Sequence, residues 1–85
     1  MRYKVTLTAK VQKFIKKLPV RDYKLVANAL EGLAVDPYAG DVKKMKTYDQ
    51  TFRKRAGNYR IIYEIDGEIL LVDVLDIGDR KNIYE

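Results

Sequence analysis

The sequence predicts an α+β domain of order β-α-α-β-β-β, a mainly antiparallel sheet covered on one face by an antiparallel helix pair. Three observations carry this expectation. Two apolar stripes of helical period follow one another early in the chain and meet at Pro19. The second half alternates apolar and polar residues and is punctuated by Ala56-Gly57-Asn58 and Asp66-Gly67. The 85 residues, 47% of them apolar, suit one domain over residues 1–85, with a core that is sufficient but not generous.

Each element has its own reason. From Arg2 to Leu7 the residues alternate, placing Tyr3, Val5 and Leu7 on one face of a first strand. Thr8 can cap the first helix, because its hydroxyl accepts an otherwise orphaned backbone N–H. Val11, Phe14, Ile15 and Leu18 then fall at i, i+3, i+4 and i+7. Pro19 stops that helix and can open the next, whose stripe is Tyr23, Val26, Ala27, Leu30, Leu33 and Ala34. Asp36-Pro37 ends it, since the residue before a proline leaves the helical region. Tyr38-Ala39-Gly40 breaks the pattern, and a basic loop leads to a strand from about Gln50. Ala56-Gly57-Asn58 turns it into the third strand. Asp66-Gly67 reads as a type I′ hairpin turn into a fourth strand, from Glu68 to about Ile77, with Leu70, Val72 and Val74 on one face.

Composition narrows the function classes. Without cysteine there are neither disulfides nor thiolate metal sites. No apolar run approaches the roughly 20 residues of a membrane span, and the opening residues lack a signal-like apolar core, so a cytoplasmic protein without membrane contact is expected. A net charge of +5 points towards a polyanion. The charge is also segregated. Residues 43–60 hold Lys43, Lys44, Lys46, Arg53, Lys54, Arg55 and Arg60 against Asp49 alone, whereas residues 61–79 hold six acids and no base. Such runs either merely solvate a sheet or separate a phosphate-facing side from its opposite.

Strand parity suggests which. If Ile61, Tyr63 and Ile65 pack under the helices, Arg60, Ile62 and Glu64 take the open face. If Phe52 seeks the core, Arg53 and Arg55 join Arg60, provided that no bulge in Ala56-Gly57-Asn58 shifts the register. Clustered guanidinium groups repel unless an anion or acids neutralise them. The planar, permanently charged fork of arginine suits phosphate.

The segments Phe52-Arg53-Lys54-Arg55-Ala56-Gly57-Asn58-Tyr59-Arg60-Ile61-Ile62-Tyr63 and Ile77-Gly78-Asp79-Arg80-Lys81-Asn82-Ile83-Tyr84 resemble the RelE/ParE superfamily of bacterial and archaeal toxins, the RelE branch in particular. Tyr3-Lys4-Val5, Phe14-Ile15-Lys16-Lys17-Leu18-Pro19, Leu33-Ala34-Val35-Asp36-Pro37 and Val42-Lys43-Lys44-Met45-Lys46 extend the resemblance over nearly the whole chain. It implies a RelE-like microbial RNase fold and a toxin that cleaves mRNA in the ribosomal A site. It further implies an antitoxin with an acidic wrapping segment, and operator DNA reached only through the antitoxin complex. By this resemblance Arg60, Arg80 and Tyr84 match catalytic positions, Arg55 assists, and Arg53 grips the mRNA backbone. Lys43, Lys44, Lys46 and Lys81 add phosphate attraction that falls with salt.

Cleavage of RNA by its own 2′-hydroxyl needs that proton removed, the charge growing on phosphorus stabilised, and the 5′-oxygen protonated. The chain has no histidine, so an imidazole pair is impossible. Arg60 suits charge stabilisation, and Arg80 can hold the same phosphate. Tyr84 is either a base or a stacking platform. Where some relatives carry lysines, Arg53 and Arg55 cannot accept a proton. Electrostatics and alignment are therefore the expected means, with no metal or other cofactor. Two rival readings remain: a ParE-like inhibitor of DNA gyrase without a nuclease site, and a nucleic-acid-binding subunit that works only with an antitoxin.

Overall fold

The computed structural model describes residues 2–46 and 50–79. The elements run β1 (Lys4–Leu7), α1 (Ala9–Lys16), α2 (Val20–Val35), β2 (Val42–Lys44), β3 (Thr51–Ala56), β4 (Tyr59–Asp66) and β5 (Leu71–Asp79). They form one five-stranded sheet in the order β1-β5-β4-β3-β2. Every pairing is antiparallel except that of β1 with β5, which is parallel and closes over the helix pair and the three strands between them in the chain. The α+β class and the mainly antiparallel sheet are as expected.

Helix boundaries follow the sequence signals. Thr8 Oγ1 accepts from the Val11 N–H at 3.3 Å, Pro19 occupies the N-cap of α2, and Asp36 its C-cap. α1 packs on β1 and β5, α2 on β1 and β3, and the helices touch each other. The core joins Val11 and Ile15 of α1 with Val26 and Leu33 of α2. Beneath them lie Ile61, Tyr63 and Ile65 of β4 and Val72, Val74 and Ile77 of β5. Tyr23 departs from the predicted stripe: it is 48% exposed, while Ala29 packs against the core.

Three local features differ from expectation. Where the sequence predicts a basic loop, the three residues of β2, two of them lysine, form a short charged edge strand of the kind that resists further pairing. The Asp66-Gly67 turn is not a two-residue type I′ turn. Asp66 pairs with Leu71, and residues 67–70 form a four-residue loop. Its start is held by Asp66 Oδ1, which accepts from the Glu68 and Ile69 N–H groups at 3.1 and 3.4 Å, and Leu70 closes it at φ 53°. The β3–β4 register runs unbroken to Ala56 and Tyr59, as the arginine parity requires, and an unforeseen bulge lies in β5. Ile62 faces Asp76 and Tyr63 faces Val74, which leaves Leu75 as the extra residue. Val74 and Ile77 therefore share the core, three positions apart, and Asp76 emerges on the other face.

Candidate nucleic-acid interface

β3 and β4 are joined by Gly57-Asn58 alone, with Ala56 opposite Tyr59. Gly57 has φ +60° while Asn58 does not share a positive φ, the pattern of a tight type II′ turn whose twist suits a hairpin. Leu25 of α2 covers this turn: a Cβ on Gly57 would lie 2.5 Å from Leu25 Cδ2. The hairpin is thereby fixed in register, and the register decides where the arginines stand.

Ile61, Tyr63 and Ile65 face the helices, so Arg60, Ile62 and Glu64 occupy the helix-free face. Arg55 stands directly opposite Arg60, and Gly78 flanks Arg60 on its other side. Residues so placed have Cβ atoms about 4.5–5.5 Å apart, close enough for two guanidinium groups to grip one phosphate. In the next row Lys43 faces Arg53, Arg53 faces Ile62, and Ile62 faces Asp76. Arg55, Arg60, Arg53 and Lys43 thus share one end of one face.

Neighbouring groups hold this end in place. Arg55 Nε lies 3.8 Å from Asp41 Oδ2, and the Arg55 N–H donates to the Asp41 carbonyl at 3.0 Å. Arg60 Nε is buried and makes no hydrogen bond among the described residues, although the side chain as a whole is engaged. Tyr59, next to Arg60, points to the helix side. Its hydroxyl donates to Asp22 Oδ2 at 2.7 Å, and its ring meets Phe14 edge-on at 6.0 Å. That hydrogen bond, then desolvation and the charges of Asp22 and Asp79, push the Tyr59 hydroxyl above its ordinary pKa. Tyr63 is fully buried, donates to the Pro37 carbonyl at 2.7 Å, and is raised further, mainly by burial. Both tyrosines serve packing rather than proton transfer.

The other sequence-predicted residues divide. Lys44 faces Phe52 and so falls on the helix-bearing side, away from Lys43 and the arginines; alternation over a three-residue strand separates two adjacent lysines. Lys54 has that same parity and reaches under α2, its Nζ 3.4 Å from the Ala29 carbonyl. Lys46 is exposed just beyond β2. Arg80, Lys81 and Tyr84 lie outside the described residues. Asp41 escaped the sequence reading, because only the pairing of β2 with β3 brings it to Arg55. Among the described residues no three His, Cys, Asp or Glu side chains are grouped to hold a metal ion.

An arginine-lined hairpin on a sheet backed by two helices can be compared with known proteins. Residues 5–84 match the family model described as ParE toxin of type II toxin-antitoxin system, parDE. The chain belongs to this toxin family. The ParE-family chain is also 32% identical to Toxin RelG of Mycobacterium tuberculosis, over 99% of its own length and 98% of that protein's. Its fold resembles the crystal structure of the archaeal RelE-RelB complex from Pyrococcus horikoshii, with TM-score 0.84, 25% identity, and coverage of 98% of this chain and 100% of that one. A RelB-RelE antitoxin-toxin complex from Methanococcus jannaschii gives TM-score 0.73 at 26% identity, covering 94% and 95%. This ParE-family protein is therefore a toxin of a type II toxin–antitoxin system, in the RelE/ParE superfamily.

Proposed function

We propose that this toxin is a ribosome-dependent endoribonuclease that cleaves mRNA in the ribosomal A site. The observation that carries the reading is the placement of Arg55 directly opposite Arg60, with Arg53 and Lys43 in the adjoining row. Two opposed guanidinium groups match the phosphorane-like transition state, in which charge grows on the non-bridging oxygens. The 2′-oxygen attacks phosphorus and the P–O5′ bond breaks, leaving a 2′,3′-cyclic phosphate and a free 5′-hydroxyl. The 2′-hydroxyl proton goes to a base and another is delivered to the 5′-oxygen. Tyr84 is the candidate base or base-stacking platform, and Arg80 the second phosphate ligand. Arg55 and Arg60 hold charge and cannot give up protons. No metal is required for these roles. Alignment by the ribosome supplies the rest, since positioning alone can lower a barrier by several kcal/mol.

The partner assignment follows from the family and from the antitoxin-bound relatives: a cognate antitoxin, with an acidic segment suited to the basic face, neutralises the toxin. Operator DNA is reached through that complex.

A second reading has its own support, because the matched family model is described as ParE rather than RelE. A gyrase inhibitor would need no phosphate-gripping pair. Primer extension on an mRNA in a purified translation system separates the two, using wild type beside Arg60→Ala, with and without ribosomes. Cuts within A-site codons that need ribosomes and largely vanish in the variant support the nuclease. Intact mRNA with wild type overturns it, and supercoiling by purified gyrase becomes the deciding assay.

A further inference from the structure

The helix-free face is not basic throughout. Moving along β4 away from the Gly57 turn, the rows across the sheet read Arg55, Arg60 and Gly78; then Lys43, Arg53, Ile62 and Asp76; then Thr51, Glu64, Asp73 and Thr6. Glu64 and Asp73 are therefore a directly opposed pair of carboxylates, an arrangement that costs stability. Thr6 Oγ1 donates to Asp73 Oδ1 at 2.9 Å, a neutral partner that leaves the charge in place. Asp76 differs, for Lys10 Nζ lies 3.2 Å from its Oδ1. Among the described residues, no such cation sits on Glu64 or Asp73. One row further, Asp66, Leu71 and Lys4 form a mixed edge.

Magnitudes decide whether the basic end could cancel these carboxylates. Arg60 and Glu64 are four residues apart in one strand, about 13 Å at roughly 3.3 Å per residue. That exceeds the Debye length of about 8 Å at physiological salt. Arg55 and Arg60 thus lie too far to cancel the carboxylate row; Arg53, opposite Ile62 and so diagonal to Glu64 at roughly 7–8 Å, offsets at most one of its two charges.

We propose that the Glu64–Asp73 pair is a specificity element that bars the RNA backbone from the far end of the sheet. The backbone is thereby confined to the turn end, crossing β2, β3 and β4 over Lys43, Arg53, Arg55 and Arg60 instead of running along the strands. This rests on the reading of the face as an RNA surface. Had the sheet been uniformly basic, a strand of RNA could slide along it. The carboxylate row removes that register and leaves room for a few phosphates only.

Fluorescence anisotropy of labelled single-stranded oligoribonucleotides of graded length, titrated with salt, tests this with the isolated toxin. Wild-type affinity stops rising after a few nucleotides. Glu64→Gln/Asp73→Asn gains affinity that keeps rising with length, and Glu64→Lys gains more, steepening the slope of log K against log salt by about 0.7. Glu68→Lys, the same two-unit charge change placed in the loop off this face, leaves binding as in wild type. Equal binding by wild type and both row variants, with Arg60→Ala weakened, overturns the barrier while keeping the RNA surface. Equal gains from Glu68→Lys also overturn it, since net charge would then explain them. Wild-type binding that is absent, or unchanged by Arg60→Ala, overturns the RNA surface and the barrier together.

Discussion

Arg55 and Arg60 face each other directly across the β3–β4 hairpin, on the side of the sheet that carries no helix. Like charges so opposed destabilise by a few tenths of a kcal/mol to about 1 kcal/mol, and only an anion or a carboxylate relieves the repulsion. Asp41 meets Arg55, and an oxyanion bridging both arginines would relieve more.

Inorganic phosphate or sulfate is therefore expected to raise the melting temperature of the wild type in a saturable way, and by much less in Arg55→Ala or Arg60→Ala. At 100 times Kd the stabilisation would reach about 2.7 kcal/mol. Calorimetry against anion concentration at fixed ionic strength reads it directly. In the translation assay the same two variants are expected to lose on the order of 10²–10³ in cleavage rate.

Tyr59 and Asp22 give a pH-dependent contribution to stability. The Tyr59 hydroxyl pKa is raised in the folded state, first by its hydrogen bond to Asp22, so folding favours the protonated phenol. The contribution is complete below the ordinary value of 10.0 and is lost as pH rises through the higher folded value. Tyr63 titrates in the same direction. Tyr59→Phe should cost about 1–2 kcal/mol at pH 7, near the low end for a bond to a charged group because the site is half-exposed. It should also flatten, without abolishing, the alkaline loss. Urea unfolding at neutral and strongly alkaline pH measures both.

Gly57 is constrained twice. Its φ of +60° disfavours any side chain, and Leu25 Cδ2 occupies the space a Cβ would need. Gly57→Ala should cost about 1–3 kcal/mol, mostly through the backbone, because Leu25 is 41% exposed and can swing aside. A double-mutant cycle with Leu25→Ala should recover only the smaller, steric part. Full recovery would place the cost in the contact.

Asp41 competes with phosphate for Arg55. The ion pair is long and solvated, with side chains 40% and 60% exposed, so Asp41→Asn should change stability by less than about 1 kcal/mol. RNA binding should tighten modestly, because a carboxylate no longer occupies the guanidinium. Unchanged anisotropy titrations would mean that Arg55 is already free to meet the phosphate.

Much of this was legible from local chemistry. Thr8, Pro19 and Asp36 mark helix ends by capping and by loss of an N–H, effects that act within a few residues. The alternation through Ile61, Tyr63 and Ile65 gave the buried face of β4, and with it the open-face position of Arg60. Elsewhere local patterns misled. Asp66-Gly67 suggested a two-residue turn, yet the core needed Val72 opposite Ile65, and that register takes a four-residue loop. Val42-Lys43-Lys44 looked like a loop because edge strands are written with charges.

The sequence by itself determined the order of every element except the edge strand β2, the family, and the concentration of cations in residues 43–60, because periodicity, capping and composition are properties of neighbours along the chain. Tertiary structure alone decided which of those cations meet. Lys43 joins the arginines, Lys44 and Lys54 are sent to the helix side, Asp41 is brought to Arg55, and Glu64 is set against Asp73. These are cross-strand relations fixed by register, and register is set by where large side chains fit beneath two helices and where one bulge at Leu75 resets the alternation.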